Sequence, residues 1–125
     1  MSDNKDSAWI YKITTREAWE QACAADGFAG SPDDARDGFI HLSGADQLTG
    51  TANKYFSGVP NLVLVAFCAA DLSQALKWEP SRGGAFFPHY YGVLPVRAAR
   101  WVRSLPLGED GAPCLLEALQ SKVDA

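Results

Sequence analysis

The chain has 125 residues, a hydrophobic fraction of 47% and a formal net charge of −4 from 15 acidic and 11 basic residues. A chain of this size fits one domain of ordinary size, able to bury roughly 70% of the surface its unfolded form exposes without disulfides or metal. The acidic balance and the lack of a long basic run exclude non-specific binding to long nucleic acid, which depends on Lys and Arg neutralising phosphates, but leave room for a small anionic ligand held by two or three local cations.

Residues 1–7 read as a disordered tail and 8–122 as the domain. Ala8 to Ile13 alternates as a strand, with Trp9, Tyr11 and Ile13 on one face and Ile10 and Lys12 on the other. Thr14-Thr15-Arg16-Glu17 has the form of a capping box, and the helix it opens places Ala18, Trp19, Ala22 and Cys23 on one stripe before a stop at Gly27. Gly30 to Asp34 reads as loop. Gly38 to Ser43 is extended, and Ser43 caps a second helix with Asp46 at its third position. That helix turns Leu48, Ala52, Tyr55 and Phe56 inward and ends at Gly58; Gly50 weakens it by about 1 kcal/mol relative to Ala.

Val59-Pro60-Asn61 is a turn, and the unbroken apolar run Leu62 to Cys68 predicts a central strand buried on both faces. Asp71 opens a short helical turn through Leu76. Lys77-Trp78-Glu79 is extended up to Pro80, Ser81 to Gly84 is a flexible loop, and Phe86 to Gly92 opens the next ordered part. Arg100 to Leu105 alternates Trp101 and Arg103 against Val102 and Ser104 as a strand. Ala112 to Lys122 is a last helix with Leu115, Leu116 and Leu119 inward. Strands and helices mix without a βαβ rhythm, which favours α+β, with a small split antiparallel sheet and flanking helices.

The polar start Met1 to Asp6 lacks the apolar segment of a signal peptide, and no stretch approaches the ~20 apolar residues of a membrane span. The expectation is a cytoplasmic protein that touches no membrane. Cys23, Cys68 and Cys114 form no Cys-x-x-Cys pair and read as small buried hydrophobes in a reducing compartment. No combination of ligands with metal-site spacing is present, so no metal is expected.

Two histidines carry the candidate chemistry. His41 lies in an apolar extended segment before a helix cap, and His89 follows Pro88 and precedes Tyr90 and Tyr91. Neutral imidazole donates from one nitrogen and accepts at the other, which suits proton transfer or the orientation of a hydroxyl; each ring can equally brace a backbone carbonyl. Tyr90 and Tyr91 could stack on a flat ligand, although neighbours on a strand point to opposite faces. Glu79, pinned between Trp78 and Pro80, has the setting of a general acid with a raised pKa, or else is a solvated partner of Arg82. Ser43 reads either as a hydroxyl ligand or as a helix cap.

At Gly38-Phe39-Ile40-His41-Leu42-Ser43 and Phe87-Pro88-His89-Tyr90-Tyr91-Gly92 the chain resembles domain-of-unknown-function family 952, a family of small bacterial proteins. The resemblance takes in Ile10-Tyr11-x-Ile13, Trp19, Leu62 to Leu72, Trp78-Glu79 and Leu94-Pro95, and so covers Trp9 to about Leu107. The order of elements is similar to that of the ADP-ribosyltransferase fold. That likeness implies NAD or an ADP-ribose-like nucleotide in a cleft, with His41 toward the nicotinamide side and His89, with Glu79, as acid, base or hydroxyl anchor. Tyr90 or Tyr91 would stack, and Lys12 and Arg82 would offset phosphate charge. Lys12 stands where such folds carry their first histidine, and no late glutamate occupies the transferase position. Beside this enzyme reading stand a non-catalytic module for a small metabolite or modified nucleotide, and a structural role in which both histidines brace loops.

Overall fold

A computed structural model describes residues 8–120; the expected tail at 1–7 and the end of the last helix beyond 120 lie outside them. Alternation in the sequence becomes two antiparallel sheets. The larger has the strand order β3-β1-β4-β7, from β1 (Trp9–Thr15), β3 (Ser43–Gly44), β4 (Leu62–Cys68) and β7 (Trp101–Leu105). The smaller has the order β2-β6-β5, from β2 (Ile40–His41), β5 (Leu76–Pro80) and β6 (Phe86–Tyr90). The fold is α+β, with the split antiparallel sheet that the sequence predicts.

The central strand β4 is covered on both faces, as its continuous apolar run requires. Val63, Val65 and Phe67 join Ile10, Trp19, Phe28, Ile40 and Leu42 in one core, against which Trp78 and Tyr90 of the small sheet pack. Leu62, Leu64 and Ala66 join Tyr11, Ile13, Leu48, Ala52 and Leu105 in the other. Helix α1 (Arg16–Ala25) serves the first core through Trp19 and Ala22, while α3 (Leu48–Tyr55) and α4 (Leu115–Gln120) serve the second.

Several local expectations move. Thr15, not Thr14, caps α1, its hydroxyl accepting from Ala18 N at 3.1 Å, because Thr14 stays in the strand. Asp26 takes the left-handed position after α1 with φ 64°. A Cβ at Gly27 would lie 2.5 Å from Val93 Cγ1, so a side chain there would have to displace Val93. The segment read as loop holds a helix, α2 (Pro32–Asp37), capped by a Ser31–Asp34 box with Pro at its start. Ser43 caps nothing: it pairs with Tyr11 in β3, and Gly44 opens a 3₁₀ turn (Ala45–Gln47) by donating its N–H to Gln47 Oε1 at 2.8 Å. Tyr55 is exposed rather than inward, and Cys23 is exposed rather than buried.

Phe67 is fully buried and meets Trp19 edge-on with ring centroids 6.4 Å apart. Phe67→Ala is expected to cost about 3–5 kcal/mol, as a large-to-small change in a packed core. Urea denaturation should show a lower midpoint with an unchanged slope; an unchanged midpoint would contradict this placement of the core.

Candidate functional site

The site grows from one strand position. Alternation along β1 puts Lys12 on the same face as Ile10, so its side chain must enter the protein, where it is 5% exposed. A buried ammonium needs partners. Helix α2 supplies one: Lys12 Nζ donates to Asp34 Oδ2 at 2.9 Å and Oδ1 at 3.2 Å, and to the His41 carbonyl at 3.0 Å. Asp34 also accepts from the His41 N–H at 3.0 Å and lies 2.6 Å from His41 Nδ1. Burial pushes the Asp34 carboxyl up, but His41, the Lys12 charge and the His41 amide together hold it well below the usual carboxylate range. Burial pulls the Lys12 ammonium below its ordinary value against the opposing pull of Asp34.

The second half of the site lies across the small sheet. His41 on β2 and His89 on β6 are register partners. Their side chains therefore leave the same face, with ring centroids 5.7 Å apart in an edge-on arrangement. Phe39 stacks on His89 at 4.0 Å and leans on His41 at 4.7 Å. His41 Nε2 lies 2.9 Å from Asp37 Oδ2. His89 Nδ1 lies 2.8 Å from Glu79 Oε1, which also accepts the Tyr91 hydroxyl at 2.8 Å. These two hydrogen bonds lower the Glu79 pKa, and the bond to Glu79 raises that of Tyr91. A carboxylate has no proton to give, so in the neutral ring the bond at Nδ1 fixes the N–H there and leaves the lone pair at Nε2. The His89 side chain is 4% exposed, and its Nε2 is buried without a hydrogen-bond partner.

Both imidazoles line one cavity of about 210 Å³, together with Lys12, Asp34, Ser43 and Phe87. The sheets separate here: Leu42 is the buried crossing residue, its N–H donating to Pro88 O at 3.0 Å, so that His41 ends one sheet and Ser43 begins the other.

The residues singled out in the sequence divide accordingly. His41, His89, Lys12 and Ser43 meet at the cavity. Lys12 is tied to Asp34 and the His41 carbonyl, and Ser43 Oγ is 3.1 Å from Thr51 Oγ1. Glu79 stands behind His89 rather than in the cavity, and its pKa is lowered, not raised: strand alternation sends Trp78 to the core and Glu79 to the opposite face, onto His89 and Tyr91. Tyr90 packs on the first core, while Tyr91 serves Glu79. Arg82 lies in the loop between β5 and β6 (Arg82–Gly84), and its side chain is outside what the structure describes. Asp34, Asp37 and Phe39 were not singled out. Ser31-Pro32-x-Asp34 is itself a cap signature with Pro at the first helical position, and it was the available signal for Asp34. Among the described residues no group of three or more His, Cys, Asp or Glu is placed to hold a metal, and no helix is long and apolar enough to cross a membrane.

The family model described as protein of unknown function (DUF952) matches residues 13–102. The chain is similar to the crystal structure of the Caulobacter crescentus protein CC0527, with 48% identity and a TM-score of 0.86 over 90% of this chain and 99% of that one. The solution NMR structure of CC0527 is similar at 48% identity, with a TM-score of 0.80 over 90% and 97%. No curated protein matches the chain.

Asp34→Ala leaves the Lys12 ammonium buried without its counter-charge, a change expected to cost about 3–5 kcal/mol. The double variant Lys12→Met/Asp34→Leu should be closer to the wild type than Asp34→Ala. Because the folded pKa of Asp34 is depressed, its contribution is complete above the unfolded value of about 3.9 and fades as pH falls through that value toward the folded one. Urea midpoints between pH 7 and pH 2 should therefore drop more steeply for the wild type than for Asp34→Asn; equal slopes would contradict the assignment.

Proposed function

The chain belongs to the DUF952 family, and we propose that its cavity is a small-ligand site in which His89 acts through Nε2 as hydrogen-bond acceptor and general base. One observation carries this reading: a buried imidazole nitrogen with no hydrogen-bond partner, on a ring whose other nitrogen is held by a carboxylate. A buried acceptor left unpaired costs about 1–3 kcal/mol. A ligand O–H or N–H removes that cost on binding.

The chemistry follows from the same bonds. A proton taken from the ligand, or from water beside it, moves to Nε2, and the imidazolium that forms is stabilised by Glu79 at Nδ1. Glu79 and Tyr91 are positioning residues that fix tautomer and ring angle. His41, held at Nδ1 by Asp34 and facing Asp37 at Nε2, orients the opposite wall. Among the described residues no protein hydroxyl hydrogen-bonds to Nε2, so the base serves the ligand rather than a serine nucleophile.

A narrower reading makes the ligand the ribosyl or nicotinamide end of NAD or of an ADP-ribose-like nucleotide, on an ADP-ribosyltransferase-like fold. The split antiparallel sheets with a cleft at their seam support it. The cavity of about 210 Å³ is below the ~300–1,000 Å³ usual for small-molecule pockets. It would hold one ring, with the phosphates outside. The alternative, a non-catalytic module, uses the same acceptor without moving a proton; a cavity with no protein nucleophile on its base favours it.

Imidazole ¹⁵N spectra of the full chain should show His89 with its proton on Nδ1, and Glu79→Leu should mix the tautomers. Millimolar nicotinamide, ribose or ADP-ribose should move the Nε2 resonance, and His89→Gln should abolish any ligand-induced rise in Tm. A wild-type His89 protonated at Nε2 would overturn the reading; silence from all three ligands would remove its ribosyl form.

A further inference from the structure

We propose that the cavity selects a small organic cation, an amidinium or ammonium on a flat apolar body, over an anion of the same shape. The inference rests on the reading of His89 Nε2 as a ligand-facing acceptor and goes on to name what it accepts from.

Charge around the cavity points one way. Asp33, Asp34 and Asp37 line it against Lys12 and Arg36. Both cations are already engaged. The Lys12 ammonium donates to Asp34 and to the His41 carbonyl. The Arg36 guanidinium donates to Asp33 at 3.3 Å and to Asp37 at 3.0 and 3.4 Å. The His41 ring faces Asp34 and Asp37 from its two nitrogens. Among the described side chains, each cation on this wall already donates to one or more of its carboxylates. An anion would enter against a wall with more carboxylates, Asp33, Asp34 and Asp37, than cations, Lys12 and Arg36, and face His89 Nε2.

A cation meets the opposite field. Its N–H groups find the buried acceptor at Nε2, a side chain 4% exposed, and the surrounding carboxylates supply the counter-charge. Phe87, Tyr11 and Phe56 line the same cavity. Aromatic faces attract a cation within about 6 Å of their centroids, by roughly 0.5–2 kcal/mol, and they cover a flat apolar body. The acidic wall, the engaged cations and the aromatic lining thus favour one ligand class, and the unpartnered nitrogen gives it an anchor.

Benzamidine, benzamide and benzoate share a skeleton and differ in charge. They would be titrated separately into the full chain, followed by the His89 imidazole ¹⁵N resonances and by Tm. Benzamidine should shift Nε2 and bind at least tenfold more tightly than benzoate, with benzamide between them. Asp37→Asn should narrow the benzamidine–benzoate gap severalfold. Benzoate binding as tightly as benzamidine, with His89 shifted, overturns the charge preference and leaves the acceptor role standing. No shift of His89 with any of the three overturns both. A gap unchanged in Asp37→Asn, with that variant folded by circular dichroism, overturns the carboxylate origin of the preference.

Discussion

The buried contact between Lys12 and Asp34 is the constraint on which the rest of this site depends. Strand alternation forces Lys12 into the interior, and a lone ammonium there would be prohibitive. Asp34 answers it and also accepts from the Ser31 amide, the His41 amide and His41 Nδ1. One carboxylate therefore joins β1, the cap of α2 and β2. A buried ion pair is weak evidence for net stability, since desolvation offsets most of its attraction. Its consequence here is geometric. Helix α2 has six residues, too few to persist alone, and this anchor sets where it sits and hence where Asp37 and Arg36 stand at the cavity.

The two histidines face each other across a β pair yet differ in what their neighbours leave open. His41 is met by a carboxylate at each nitrogen, and its backbone amide and carbonyl are also engaged. It is part of the wall. His89 has one carboxylate, one stacked phenyl ring and one unengaged nitrogen. The same side chain is thus held at both nitrogens in one strand and at one nitrogen in the other, and the difference lies in the number of carboxylates that reach it. Tyr91 sharpens this: by donating to the Glu79 oxygen that holds His89, it keeps that oxygen in place against solvent.

Much of this was legible in the sequence, and the gaps have physical reasons. The continuous run Leu62 to Cys68 could only be a strand covered on both sides. The two His-bearing motifs drew attention to rings that the fold brings together. Local patterns settle such matters because burial and period act on neighbouring residues. Asp34 and Asp37 were missed because their importance is non-local: Lys12 is 22 positions from Asp34, and nothing in a charged hexapeptide marks one acid as buried. The expected rise in the Glu79 pKa failed for a local reason. Adjacency to Trp78 in sequence is opposition across a strand, and the carboxylate is met by His89 and Tyr91.

The cavity itself follows from a change of strand partner. Leu42 is buried between two residues that pair in different sheets, His41 with His89 and Ser43 with Tyr11. An apolar residue here pins the crossing to the core, while the period of two sends both flanking polar side chains to the side away from it. The pairing of β3 with β1 covers only Ile10 and Tyr11, so the strand edge at Lys12 and Ile13 faces the gap instead of another strand. A polar residue at position 42 would have to bury its own hydrogen-bonding groups at the crossing. An apolar one at 41 or 43 would take a hydrogen-bonding group from the gap. The sequence polar–apolar–polar at the point where the sheets part therefore pins the crossing to the core and lines the opening beside it with hydrogen-bonding groups.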